Sequence, residues 1–185
     1  SGKTTLLELL AGLRVPTGGT VRAPDAHLAT QRPLLLPGTV RENLALGSQG
    51  VSDGEMRMAL ARVGLWVALA ERDGLETRLG DDGFGLSAGQ RGRLALARAT
   101  LSDAPVVLLD EPTAHIAPDA LPALRHVIVD LAEHRRVIVA THDLDLAGLA
   151  NQQWQVPLLP TPPQTGGGAV PDAHDAATAH AHAPG

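Results

Sequence analysis

Cysteine is absent from the 185-residue chain, and aromatic side chains amount to 2%, namely Trp66, Phe84 and Trp154. The first absence excludes disulfides, thiolate metal sites and a cysteine nucleophile. Hydrophobic residues nevertheless make up 44% of the chain, which is enough for one domain with a substantial core. That core must therefore consist of leucine, valine, isoleucine and alanine.

Excess positive charge and long apolar runs are also missing. The formal net charge is −5 at pH 7, and nucleic-acid backbones attract basic surfaces, so we expect no nucleic-acid partner. No segment approaches the ~18–20 consecutive apolar residues of a membrane-spanning helix. If the protein serves a membrane, we expect it to act through a partner or through a segment outside this chain.

Helical and strand patterns alternate along residues 1–156, which predicts an α/β fold. Apolar residues and capping signals predict helices at 3–13, 38–46, 52–64, 87–101 and 118–134. Short strands are predicted at 20–23, 27–30, 105–112 and 135–143. The last two strands lack polar alternation and flank a helix, as is typical of a mostly parallel sheet covered by helices on both faces.

Residues 157–185 differ in composition from the rest of the chain. They are rich in proline, glycine, alanine and histidine and show no period, which predicts a disordered tail. Its histidines, His174, His180 and His182, are of a type that binds transition metals. We interpret them as compositional bias rather than as a metal site.

The first five residues match the second half of the phosphate-binding loop G-x-x-x-x-G-K-[ST]. We predict nucleotide binding by Ser1, Gly2, Lys3, Thr4 and Thr5, with Lys3 on the β- and γ-phosphates and the Thr4 hydroxyl on Mg²⁺. The alternative is a helix that merely begins with these residues. We expect the first glycine of the loop and its strand to lie upstream of Ser1, so that the chain is an N-terminally truncated domain.

A second signature is the apolar strand VVLLDEP, which ends in two carboxylates. Asp110 at the end of this strand is predicted to hold Mg²⁺, directly or through water, and Glu111 to polarise the attacking water. A carboxylate pair that merely ends a strand is the alternative. The presence of Lys3 upstream favours the nucleotide interpretation.

The third motif is a tight turn that leads into a helix, where Ser87 is placed to cap the helix. Backbone N–H groups and the helix dipole at such a turn can bind a phosphate. The alternative is a core helix whose first turn is capped by Ser87. The turn resembles the LSGGQ signature of ATP-binding-cassette (ABC) ATPases. It comprises Leu86, Ser87, Ala88, Gly89 and Gln90.

This resemblance implies further roles. Gln31 in TQRP matches the glutamine loop, whose side chain meets Mg²⁺ and the attacking water. His142 in VATHD matches the switch histidine that contacts the γ-phosphate, although a lone histidine after a strand is usually structural. The family works as a head-to-tail pair of ATPase domains, and the signature turn of each acts on the partner's ATP. The resemblance thus implies a P-loop NTPase domain over 1–156 with an ABC-type helical lobe at about 38–101.

The segment at 31–47 resembles exporter-type half-transporters, whose chain also carries a membrane domain. Residues 86–115 and 142–150 resemble the CydD-like thiol exporters linked to cytochrome bd assembly. This resemblance implies a heterodimeric partner, a transmembrane domain, and a place at the cytoplasmic face of the cell membrane. It also implies export of cysteine or glutathione.

Three positions depart from the family pattern. Ala88 stands where the signature usually has glycine, and its methyl group crowds a phosphate-binding backbone. Gly92 replaces a usual glutamine and should weaken the signature helix slightly. Ala117 occupies the position of the D-loop aspartate, so its contact with the partner's phosphate loop is in question.

Together these features predict an Mg²⁺-dependent ABC ATPase that couples ATP-driven pairing to transport. Two other functions stay open. A soluble ABC ATPase of repair or translation would lack a membrane partner, and it would usually carry a coiled-coil insert or two cassettes in tandem. A non-catalytic ATP-binding subunit is disfavoured by Glu111 and His142, whereas Ala117 points towards it.

Overall fold

The computed structural model describes residues 2–156. Its strands are β1 (Ala26–Ala29), β2 (Gly38–Thr39), β3 (Arg78–Leu79), β4 (Val106–Asp110) and β5 (Arg136–Ala140). Its α-helices are α1 (Lys3–Leu10), α2 (Val40–Ala45), α3 (Asp53–Arg62), α4 (Trp66–Ala70), α5 (Ala88–Leu101), α6 (Leu121–His134) and α7 (Leu144–Gly148). None of the helices within this range combines the length and apolar character that crossing a membrane requires.

A three-stranded parallel sheet in the order β1–β4–β5 organises the fold. All five residues of the central strand β4 are buried, which explains why its sequence shows no polar alternation. Helix α6 connects β4 to β5, so the predicted strand–helix–strand unit is present. At the carboxyl ends of β4 and β5, Asp110 and Ala140 lie side by side in register.

The two faces of β4 are covered by different helices. Val106 and Leu108 pack with Leu7 of α1 in one apolar cluster. Val107 and Leu109 belong to the larger cluster, which also includes buried residues of α5 and α6. This alternation follows from the period of two along a strand. Hydrogen bonds from Lys3 and Thr4 place the start of α1 beside the ends of β4 and β5.

Helices α2, α3 and α5 each begin with a capping box, in which a hydroxyl and a side chain three residues later cap each other's backbone. The pairs are Thr39 with Glu42, Ser52 with Glu55, and Ser87 with Gln90. The predicted cap at Ser87 is therefore confirmed, and of the two caps that the sequence allows for α3, Ser52 or Asp53, the structure has Ser52.

Several local predictions were wrong. Residues 20–23 form no strand, and all four are exposed; no described strand pairs with them, and an unpaired strand has no partner for its backbone groups. Gly38–Thr39 was predicted as helix but pairs with Arg78–Leu79, and Gly38 has φ +142°, outside the helical region. The first helix ends at Leu10 rather than at residue 13, and α4 was not predicted. Residues 157–185, with the tail histidines, lie outside the described residues.

Candidate active site

The residues predicted to bind and hydrolyse nucleotide converge at one edge of the sheet. Asp110 ends β4, Glu111 follows it, and His142 lies two residues after β5. Lys3 and Thr4 open α1, which packs against the same strands. Because the carboxyl ends of parallel strands share one edge, residues far apart in sequence meet there.

The Lys3 ammonium connects three of these groups. Its Nζ donates to Glu111 Oε1 at 3.2 Å and to the Thr141 carbonyl at 3.2 Å. It also lies 2.9 Å from His142 Nε2. The side chains of Lys3 and Glu111 are only 19% and 17% exposed, so this pair is held more firmly than an ordinary surface ion pair.

Thr4 and Asp110 present oxygen atoms side by side. The Thr4 hydroxyl donates to Asp110 Oδ2 at 2.7 Å, and Asp110 is 4% exposed. Hydroxyl and carboxylate oxygens are the donors that Mg²⁺ prefers, together with waters and substrate phosphates. Within residues 2–156 no three acidic, histidine or cysteine side chains cluster closely enough to hold a metal alone. The donor set therefore fits a cation shared with phosphates.

Glu111 occupies an uncommon backbone conformation. Its φ is +50°, which costs a residue with a β-carbon about 1–3 kcal/mol. Its N–H donates to the Ala140 carbonyl at 2.8 Å, and its Oε2 accepts from the His142 N–H at 3.2 Å. In this conformation the Glu111 carboxylate lies against the Lys3 ammonium.

Gln31 shares a cavity with the two carboxylates. It lies in the exposed loop after β1 and lines this cavity together with Asp110 and Glu111. Ala88 and Gly92 of α5 also line the cavity. The structure therefore brings Gln31 to the same cavity as Asp110 and Glu111, whereas His142 does not line it.

Two other residues of the signature turn line a second cavity. Ser87 and Gly89 line it together with Arg93 and the segment 115–120. A β-carbon on Gly89 would lie 2.5 Å from the His115 carbonyl oxygen, so glycine is required for this close approach. Leu86 is buried, whereas Ser87 and Ala88 are exposed.

The remaining residues of the predicted phosphate loop are mostly solvent-exposed. Gly2 precedes α1, and its carbonyl accepts from the Leu6 N–H at 2.9 Å. Gly2 and Thr5 are exposed. Ser1 lies outside the described residues.

Comparison with known proteins establishes the family. The sequence model of the ABC transporter family matches residues 1–114, more than half of the 185 residues. The chain belongs to the ABC transporter family. The ATPase-domain resemblance and the α/β phosphate-loop fold predicted from the sequence are thereby confirmed.

Among curated proteins, this ABC domain is similar to the glutathione/L-cysteine transport system ATP-binding/permease protein CydC of Escherichia coli. The two are 37% identical over 157 residues, which covers 77% of this chain and 27% of that protein. It is 35% identical over 159 residues to the ATP-dependent lipid A-core flippase of Burkholderia thailandensis, covering 78% of this chain and 26% of that protein. The chain thus spans about a quarter of the length of the curated relatives it matches.

A solved structure of a bacterial Atm1-family ABC exporter with ATP bound is also similar. Its TM-score is 0.71 at 25% identity, and the match covers 78% of this chain and 28% of that chain. The relatives are transporters of several kinds. The CydD-like specificity therefore stays a prediction.

Sequence analysis of this ABC domain missed a polar network beside the site. Arg125 of α6 pairs with Asp143, the residue after His142, and Thr113 also bonds to that carboxylate. Arg125 had no motif to distinguish it from other arginines. The only signal was Asp143 itself, an aspartate placed to cap the helix that follows.

Proposed function

We propose that the chain is the ATP-binding and ATP-hydrolysing domain of an ABC exporter, located at the cytoplasmic face of the cell membrane. The observation that carries this proposal is the convergence of a half-buried lysine, a threonine–aspartate pair and a glutamate–histidine pair at one sheet edge. The residues are Lys3, Thr4, Asp110, Glu111 and His142.

Lys3 is placed to bind the β- and γ-phosphates of ATP. Its present partners are a carboxylate, a carbonyl and an imidazole, all of which phosphate oxygens can replace as acceptors. Thr4 and Asp110 would hold Mg²⁺, which neutralises charge on the phosphates when bound. Gly2 and Thr5 would add backbone N–H donors at the start of α1.

Glu111 is the residue we assign to the attacking water. It would accept the proton that the water loses as it attacks, and the cavity that Glu111 shares with Gln31 is large enough for about one water. His142 would contact the γ-phosphate from the other strand. Its N–H bond to Glu111 already links the two groups.

The ATPase cycle requires a second ABC domain. The turn from Leu86 to Gln90 would act on the partner's ATP, because the exposed Ser87 and Ala88 begin a helix whose N–H groups attract phosphate. We assign residues 38–101 to the helical lobe that would meet a transmembrane domain. We expect the partner to be a different half-transporter, since Ala117 lacks the carboxylate of an intact D-loop.

The test of hydrolysis is Glu111→Gln in the full polypeptide assembled with its partner. Loss of the base should reduce turnover by on the order of 10²–10⁴ while Mg-ATP binding persists. Glu133→Gln, an exposed change on α6, serves as the matched control and should leave the rate unchanged. Turnover near the parent rate in Glu111→Gln would overturn the assignment. ATP binding by the parent without turnover would instead favour a non-catalytic subunit.

The substrate we propose is cysteine or glutathione, which makes this a thiol exporter associated with cytochrome bd assembly. Support comes from the CydC relatives, named as glutathione/L-cysteine transport proteins. Equal identity to a lipid A-core flippase and to a mycobactin importer makes transport the deciding measurement. ATP-dependent thiol accumulation in inverted vesicles would support the proposal, and transport of a lipid or siderophore alone would refute it.

A further inference from the structure

An ion pair holds the polypeptide directly behind His142. Arg125 Nη2 lies 2.9 Å from Asp143 Oδ1, and Nε lies 3.1 Å from Oδ2, so the guanidinium binds the carboxylate through both oxygens. The two side chains are only 18% and 12% exposed. Arg125 Nη1 also pairs with the exposed Asp145 at 2.9 Å. This bidentate, half-buried geometry distinguishes the pair from solvated surface contacts.

Asp143 also forms hydrogen bonds with residues on either side of it in the chain. Its Oδ1 accepts from the Leu146 N–H at 3.1 Å and so caps α7, and its own N–H donates to Thr141 Oγ1 at 2.9 Å. Burial raises the pKa of Asp143, but bonds from Leu146, Arg125 and Thr113 outweigh it and hold the pKa below its usual value. The carboxylate therefore stays charged and holds the loop that follows β5 to α6 and to the start of α7.

The segment held in this way makes direct contacts with the site. The Thr141 carbonyl accepts from Lys3, the His142 N–H donates to Glu111, and the imidazole lies 2.9 Å from Lys3 Nζ. The His142 side chain is 79% exposed, so packing does not fix it. Strand β5 anchors the segment upstream, and Asp143, which caps α7, is its first anchor downstream.

We propose that Arg125 and Asp143 are positioning residues that hold His142 against the nucleotide site. The inference rests on the proposed ATP hydrolysis, because the position of His142 matters for turnover only if it contacts the γ-phosphate. Strand β5 fixes one end of the connection at residues 141–143, and the other end is fixed by the Arg125–Asp143 clamp. Its loss should release the imidazole while leaving the phosphate-binding residues of α1 in place.

The experiment compares Arg125→Met with Arg125→Lys in the full polypeptide assembled with its partner. Arg125→Met should lower kcat by about 10–100-fold and change KM for Mg-ATP less than two-fold. Arg125→Lys keeps the charge but loses the two-point geometry, so it should recover part of kcat. Arg62→Met is the matched control, since it breaks a pair of 2.7 Å between Arg62 of α3 and Asp130 of α6, the helix that also carries Arg125.

Amide hydrogen exchange supplies a readout that does not depend on turnover. In Arg125→Met the amides of His142 and Leu146 should exchange faster, while those of β4 should be unchanged. Parent-like kcat, or faster exchange spread equally over β4, would overturn the proposal. A parent protein that binds but does not hydrolyse ATP would count against the proposed function, whereas the exchange pattern would still decide whether the clamp positions His142.

Discussion

Gly89 offers a sharp test of how the signature helix is seated. It lies in the first turn of α5, and an added β-carbon would lie 2.5 Å from the His115 carbonyl oxygen and 3.8 Å from Ile116 Cδ1. The closest atom belongs to the backbone, so a side-chain rotation cannot relieve the clash. Gly89→Ala must therefore push α5 away from the segment that contains His115.

Overpacking of this kind costs about 1–3 kcal/mol. Gly92 lies one turn later in the same helix, where a β-carbon would meet nothing within 4 Å. Gly92→Ala should therefore stabilise the fold by up to about 1 kcal/mol through helix propensity. The same chemical change at two positions should thus give opposite signs, and the variants should differ by about 1–4 kcal/mol in their free energy of unfolding.

Urea unfolding of the 185-residue parent and the two variants, followed by circular dichroism, measures this difference. Comparable slopes with denaturant would show that the midpoint shift reports stability. A Gly89→Ala variant that matches or exceeds the stability of Gly92→Ala would refute the close packing between α5 and the segment at 115–117. In the proposed transporter Gly89→Ala should also slow ATP turnover, because the shift displaces Ser87.

Two further predictions follow from single residues. Ala117→Asp places a carboxylate in the cavity beside Ser87 and should change the ATPase rate of the assembled pair; an unchanged rate and nucleotide affinity would remove the idea of a specialised subunit. Burial, then the charges of Arg98 and Arg135, lower the pKa of His27 to about 4. Between pH 6.5 and 4, His27 is protonated in the unfolded chain but neutral in the folded protein. The free energy of unfolding should therefore fall by up to about 2 kcal/mol between pH 7.5 and 5. His27→Gln should lack that part of the loss in urea titrations, and an identical loss in both proteins would contradict it.

The sequence by itself determined the buried strand β4, and it predicted the residues that we assign to nucleotide chemistry. A strand covered on both faces must be apolar throughout, which made β4 recognisable and placed Asp110 and Glu111 at its end. Capping boxes depend on residues three positions apart, so the sequence predicted the cap of α5 at Ser87 and limited the cap of α3 to Ser52 or Asp53. Residue type and order were sufficient for these features because each depends on local spacing.

Only the tertiary structure decided which distant groups meet. Pairing of Gly38–Thr39 with Arg78–Leu79, and the absence of a strand at 20–23, depend on whether another strand lies alongside. The contact of Arg125 with Asp143 depends on how α6 lies against β5, and no pattern within either segment encodes that distance. Long-range hydrogen bonds and close approaches form only after the helices and strands are packed, so the positioning of this site belongs to the folded molecule.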